Sequence, residues 1–339
     1  MRGAGSPNAP RRARPRCVPS VAKREGRCHL PGSEKPLTRP PNLQDDVLRR
    51  QKIVVLANCQ TGGLTACLDL LFPDAHVSGL HWGLADEALA ACRGAIAGAD
   101  VVITSAPEDF RTALLAGHEG VSPQVVQVPS LFFPGFHPDL TYAHAEGANV
   151  PAVGSSPYHS AIGVWCWREG VGIEETRRLF TADAMSQLGY DRFWPVAVAQ
   201  ARGHFSNSRV SFSDVFLPLQ ASGLRFMHTP NHPCISAIAC LARGIARLIG
   251  VEAGNLRLPL EDLVPDALAP HGYWPVYPGV AQSLGLPSSL LWAFGGVVYG
   301  LDDYLANQFK SLDAASGPVT SRGADSPEFD RRMRQLVQR

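Results

Sequence analysis

The sequence predicts an α/β fold: a doubly wound parallel sheet of SGNH or flavodoxin-like type with a helical C-terminal half. Three observations carry that expectation. Short apolar runs alternate with helical periods from Lys52 onward. The first run stops abruptly at the polar turn Asn58-Cys59-Gln60-Thr61-Gly62-Gly63. Beyond about residue 155 the pattern becomes helical. Strands alternating with helices imply βαβ units and a parallel sheet.

The elements follow in order. Residues 52–57 are too short and too apolar for a helix and read as a buried strand. After Gly62-Gly63, Leu64, Cys67, Leu68 and Leu71 recur at helical spacing. A strand near 76–80 precedes a helix over 86–96, apolar at Leu89, Cys92 and Ile96. A third strand, 100–104, ends at Ser105 and leads into a helix at 108–115, and a fourth spans 124–128. Right-handed crossovers place the turns after these strands along one sheet edge, where open α/β sheets bind ligands. Further on, 172–188 reads as one helix with a Glu174/Arg178 pair and a stop at Gly189. A helix at 192–204 and a strand at 224–227 follow. Asn231-His232-Pro233 then reads as cap and first turn of an amphipathic helix carrying Ile235, Ile238, Leu241, Ile245 and Leu248.

Composition bounds the rest. A hydrophobic share of 45% with 18% charged residues is that of an ordinary soluble globular protein. No stretch approaches the ~20 apolar residues that cross a bilayer, and no secretory signal is present, so the expected compartment is the cytoplasm. Eight cysteines without framework spacing read as reduced thiols. Residues 1–50 hold 12 Lys/Arg against 4 Asp/Glu, a balance of +8, and eight of the 28 prolines. The remainder carries 19 basic and 26 acidic residues, or −7. The expected organisation is therefore a disordered basic arm at 1–50 and a catalytic α/β domain at 51–310 with helical additions from about 155. A flexible tail at 311–339 completes it, with a short charged helix near 328–338. The arm reads as an extension rather than a nucleic-acid arm, so no nucleic-acid partner is expected.

Cys59 is the most informative residue. A thiol in a strand-to-helix turn meets a helix N-terminus, whose partial positive charge favours the thiolate. The competing reading is a buried small hydrophobe, which the polar neighbours oppose. A nucleophilic cysteine needs a base, and His232 fills that role; at a helix start its ring is expected to stay neutral. Its alternative is mere participation in a capping turn. The group orienting the histidine stays open between Asp139 and Asp214, each of which also reads as a cap or Asx-turn residue. His137 and the Tyr158-His159-Ser160 segment form polar-aromatic clusters suited to a ligand wall, or to ordinary capping by Ser160. His137, His159 and His232 lack the spacing of zinc motifs, and no metal is expected. No dinucleotide fingerprint or P-loop follows any strand.

Asn58-Cys59-Gln60, Phe136-His137-Pro138-Asp139, Tyr158-His159-Ser160 and Asn231-His232-Pro233, in that order, resemble the WcbI family of bacterial polysaccharide biosynthesis proteins over roughly residues 51–250. The resemblance implies an SGNH-hydrolase-related architecture and a coenzyme A-dependent acetyltransferase acting on a sugar or polysaccharide precursor. It makes Cys59 the thiol at the acyl centre and His232 the base. Amides near Gln60, with the Asn58 side chain, would hold the oxyanion. Ser105, His137, Asp139, Tyr158, His159, Ser160 and Asn231 complete the expected binding set. The expected ligands are coenzyme A or acetyl-coenzyme A as donor and a saccharide acceptor. Two other functions share the residues: a cysteine esterase with water as acceptor, and a non-catalytic sugar- or nucleotide-binding module in which Cys59 is incidental.

Overall fold

A computed structural model describes residues 51–82, 86–116, 123–251 and 254–338. The expected basic arm lies outside them. Strands β1 (Lys52–Ala57), β2 (His76–His81), β3 (Val101–Thr104) and β4 (Gln124–Gln127) form a parallel sheet in the order β2-β1-β3-β4. Helices α1 (Thr61–Leu71), α2 (Asp86–Ile96) and α3 (Glu108–Leu115) make the crossovers.

The period of two in β1 decides how the sheet is covered. Ile53, Val55 and Ala57 face the larger core, with Leu64, Cys67, Leu68 and Leu71 of α1. Val54 and Leu56 face a second core with Cys92, Ile96, Phe110 and Leu114 of α2 and α3. Both faces are therefore covered, as a doubly wound sheet requires. Each fully buried Val, Leu or Ile contributes about 1.5–3 kcal/mol. The register pairs Leu56 with Thr104, so β1 and β3 end side by side. Their departing chains diverge to opposite sides there, and the crevice of such a sheet opens at that reversal.

The 15-residue helix Ile235–Ile249 packs on α1. Gly63 permits the close approach, since a Cβ there would lie 2.9 Å from Ile238 Cδ1. Gly250, at φ +90°, ends the helix in the left-handed conformation that glycine adopts without strain.

The second half departs from expectation in four places. The helix expected over 172–188 is two helices, Ile173–Arg177 and Ala182–Leu188. Thr181 breaks it by accepting a hydrogen bond from Ala184 N as a new N-cap, and Glu174 pairs with Arg177 rather than Arg178. The strand expected at 224–227 is Met227–Thr229. It pairs antiparallel with His232–Pro233, so these residues form a strand and not the first turn of a helix. Finally, the stretch from 311, expected as a flexible tail, contributes Leu312, Val319, Ala324, Phe329 and Met333 to the core. Helix Pro327–Val337 is amphipathic, and Arg332 Nη1 donates to Leu188 O at 2.5 Å. Among the described residues no helix is long and apolar enough to cross a membrane.

Candidate active site

The turn after β1 is built by its own side chains. Asn58 O accepts from Thr61 N (2.9 Å) and Thr61 Oγ1 (2.7 Å), while Gln60 N donates to Asn58 Oδ1 (3.1 Å). Asn58 Nδ2 reaches across to Ser130 Oγ at 3.3 Å. Gln60 is buried and ties three loops together. Its Nε2 donates to Leu131 O (2.9 Å) and Asn231 O (3.4 Å), and its Oε1 accepts from Leu131 N (3.1 Å). With both neighbours anchored inward, Cys59 is left exposed at the carboxyl edge of the sheet.

Two short antiparallel pairs supply the opposite wall. Leu140–Tyr142 pairs with Tyr158–Ser160, and Met227–Thr229 pairs with His232–Pro233. Asn231 at the second turn is not a helix cap. Its Oδ1 accepts from the Tyr158 hydroxyl at 2.7 Å and from Thr229 Oγ1 at 2.9 Å. The Tyr158 ring stands edge-on to His232, with centroids 6.1 Å apart at 82°. Cys59 bears electrostatically on both Tyr158 and Tyr142. Cys59 and His232 thus share Tyr158 as a common neighbour, although among the described residues no hydrogen bond joins them.

The protonation of this pair differs from expectation in one respect. Partial desolvation pushes the Cys59 thiol above its ordinary value, against a smaller opposing effect of its own backbone amide. The helix terminus does not produce a low-pKa thiolate. His232 is lowered to about 4, first by desolvation and then by repulsion from His271 and His228. The ring is neutral as expected, but its histidine neighbours and burial cause this rather than a helix N-terminus. His232 Nδ1 is buried without a partner.

Several expected site residues lie elsewhere. Asp139 is fully buried and accepts from Ile162 N (3.0 Å), Tyr190 OH (3.0 Å) and Tyr277 OH (3.1 Å). Burial raises it to about 6 in spite of those bonds. It anchors a helix start and two tyrosines, and does not orient His232. Asp214 sits in the first turn of helix Phe212–Ala221 and does not orient it either. His159 is buried, bonded through Nε2 to Val150 O at 3.0 Å, and Ser160 caps helix Ala161–Arg168 through Gly163 N. His137 is buried near Trp274, Arg225 and His228, and desolvation holds it neutral. Ser105 directly follows β3, with its hydroxyl buried and unpartnered.

His137, His159 and His232 do not form a common donor set. Among the described residues the one such group is His228, Cys234 and Asp266, with donor atoms within 4.8 Å of one another. Asp266 Oδ2 meets His228 Nε2 at 2.9 Å, while Cys234 Sγ faces Nδ1 at 3.7 Å. The two approach opposite edges of one ring, which is a hydrogen-bonded chain rather than shared coordination. Asp266 Oδ2 also accepts from Ile235 N at 3.0 Å, taking the capping role expected of Asn231.

The sequence profile of the polysaccharide biosynthesis enzyme WcbI matches residues 52–254. The chain belongs to the WcbI family. A solved structure of WcbI, described as a novel polysaccharide biosynthesis enzyme, superposes with a TM-score of 0.65 at 16% identity, covering 86% of this chain and 99% of that one. That protein is described as native, without a disulfide bond between coenzyme A and one of its cysteines. At this identity the likeness shows the fold. No curated protein matches the sequence.

The WcbI-family match covers both Cys59 and His232, and other neighbours escaped sequence reasoning. Tyr142 follows Asp139 by three positions in a short strand, a spacing that carries no signal of its own. Thr229 and His271 are also absent from the sequence reading. His271, 6.4 Å from the His232 ring, comes from beyond the matched region. Beside Tyr142 a cavity of about 590 Å³ opens, walled by Phe132, Pro134, Leu140 and Tyr142.

Proposed function

We propose that this WcbI-family enzyme transfers an acyl group, acetyl in the simplest case, from coenzyme A to a hydroxyl of a saccharide precursor in the cytoplasm. The observation that carries this reading is an exposed thiol at the carboxyl edge of the sheet and a neutral imidazole that have Tyr158 in common, the imidazole through ring contact and the thiol through its electrostatic effect. In the first step Cys59 Sγ bonds to the acyl carbon, the donor C–S bond breaks, and the thiol proton leaves on the donor sulfur. Exchange between two thioesters is nearly isoenergetic, so a cysteine suits this donor. In the second step an acceptor hydroxyl attacks the acyl carbon and gives its proton to neutral His232, the acyl C–S bond to Cys59 breaks, and the released sulfur takes up a proton as the imidazolium gives one up. Splitting the transfer in this way replaces one difficult step by two easier ones.

Gln60 N is engaged by Asn58 Oδ1, so the backbone amide expected in the oxyanion hole is already bonded. Asn58 Nδ2 has one proton on Ser130 and a second available for the oxyanion. Tyr158, held by Asn231, positions the imidazole by ring contact. Calorimetric titration with coenzyme A and acetyl-coenzyme A tests the reading. A micromolar Kd, about −8 kcal/mol, supports it. Absence of binding, with ester hydrolysis in its place, favours the esterase on the same residues.

A further inference from the structure

Arg322 lines the same cavity as Tyr142. It is exposed, and among the described residues it makes no hydrogen bond or ion pair. Its backbone, by contrast, is fixed. Ser321 is buried and its Oγ lies 2.9 Å from Thr141 Oγ1, while Gly323 N donates to Thr141 Oγ1 at 3.2 Å. Thr141 directly precedes Tyr142, so these bonds hold Arg322 at a set place relative to the candidate nucleophile's neighbour. Gly323 favours this approach, because a Cβ there would lie 3.0 Å from Thr141 Cβ and Thr141 would have to give way.

The other charge on the cavity is already engaged. Asp325 pairs through Oδ1 with Arg168 Nη1 at 2.5 Å and accepts from Ser321 N through Oδ2 at 2.7 Å. The lining therefore presents an apolar wall, the polar side chains of Thr141, His144 and Thr320, and one unpaired guanidinium. That combination recognises a ligand with an extended, weakly polar arm ending in an anion. A guanidinium is the side chain best suited to a phosphate, through two parallel hydrogen bonds.

We propose that Arg322 binds a phosphate group of the acyl donor and so sets the donor's register against Cys59. The inference rests on the coenzyme A reading above and adds to it a residue outside the region that the WcbI profile matches. The C-terminal segment around Val319–Asp325 thereby acquires a role in donor selection, as one wall of the site.

The test is calorimetric titration of the full chain and of Arg322→Ala with two probes, coenzyme A and pantetheine, which carries the thiol arm but no phosphate. The wild type is expected to prefer coenzyme A. The variant is expected to lose about 10- to 100-fold in coenzyme A affinity, the range of a charge-assisted contact, with pantetheine affinity unchanged. Arg322→Lys should recover part of the loss. Equal coenzyme A affinity in wild type and Arg322→Ala would overturn the inference and leave the transferase reading standing. A parallel loss for both probes would also overturn it, since the effect would then be one of folding. No coenzyme A binding by the wild type would reject the transferase reading itself, and this inference with it.

Discussion

Tyr158 stands edge-on to His232, ring centroids 6.1 Å apart, with its hydroxyl fixed on Asn231 Oδ1 at 2.7 Å. This one contact ties the strand Tyr158–Ser160 to the short strand bearing the candidate base, and Cys59 acts electrostatically on the same tyrosine. Tyr158→Phe keeps the ring and removes the bond. The expected result is a fall in kcat/KM for acetyl-coenzyme A turnover of about tenfold, with a stability loss of ~1 kcal/mol by denaturant titration. Unchanged turnover would show that the hydroxyl does not position the site.

His232 titrates at about 4 in the fold, below the usual histidine value of 6.5. Between these values the unfolded chain binds the proton and the native site does not. Its contribution to stability is therefore complete above pH 6.5 and is lost as pH falls towards 4. Asp139, raised to about 6 from 3.8, acts in the opposite sense over nearly the same window. Removing the first contribution alone should be visible: His232→Gln is expected to lose less stability than the wild type between pH 7 and pH 4.5. A parallel loss in both proteins contradicts the assignment.

Cys59 is exposed, yet its thiol lies above the ordinary value. In a Cys17→Ser/Cys28→Ser background, iodoacetamide should modify Cys59 ahead of buried Cys67, Cys92 and Cys166 on grounds of access. Its rate should keep rising through alkaline pH, because the thiolate is scarce near neutrality. A rate that levels off by pH 7 would reveal a low-pKa thiolate instead.

Asp139→Ala leaves Tyr190 OH, Tyr277 OH and Ile162 N without their buried acceptor. Each such orphan costs about 1–3 kcal/mol, so a loss of at least ~3 kcal/mol is expected in urea titration. The lowered titration of His232 should persist in whatever fraction stays folded, followed by its imidazole proton resonance. A normal histidine value there would restore Asp139 as an orienting group.

The parallel half was legible because its signals are local. β1 alternates between two cores, α1 begins at Thr61 straight after the polar turn, and α3 spans the eight residues its period marks out. Cys59 and His232 were legible as types in suggestive turns. What escaped depends on distant partners. Asn231-His232-Pro233 has the composition of a helix start, but Asp266, 31 residues away, satisfies Ile235 N, and the Thr229–His232 pairing takes the segment into a strand. Asp139 has the look of a turn aspartate, and only the arrival of Tyr190 and Tyr277 makes it a buried hub. Tyr142 and Arg322 meet through Thr141, a junction between segments some 180 residues apart.

The central claim is that Cys59 carries the acyl group and His232 receives the acceptor's proton. The most direct measurement is rapid-quench peptide mapping after mixing with acetyl-coenzyme A, beside the turnover of Cys59→Ala. The account predicts an acetyl group on the Cys59 peptide, its accumulation in His232→Ala, and loss of turnover by orders of magnitude in Cys59→Ala. Full turnover by Cys59→Ala, with no acetylated peptide in the wild type, would contradict it and leave His232 activating the acceptor directly.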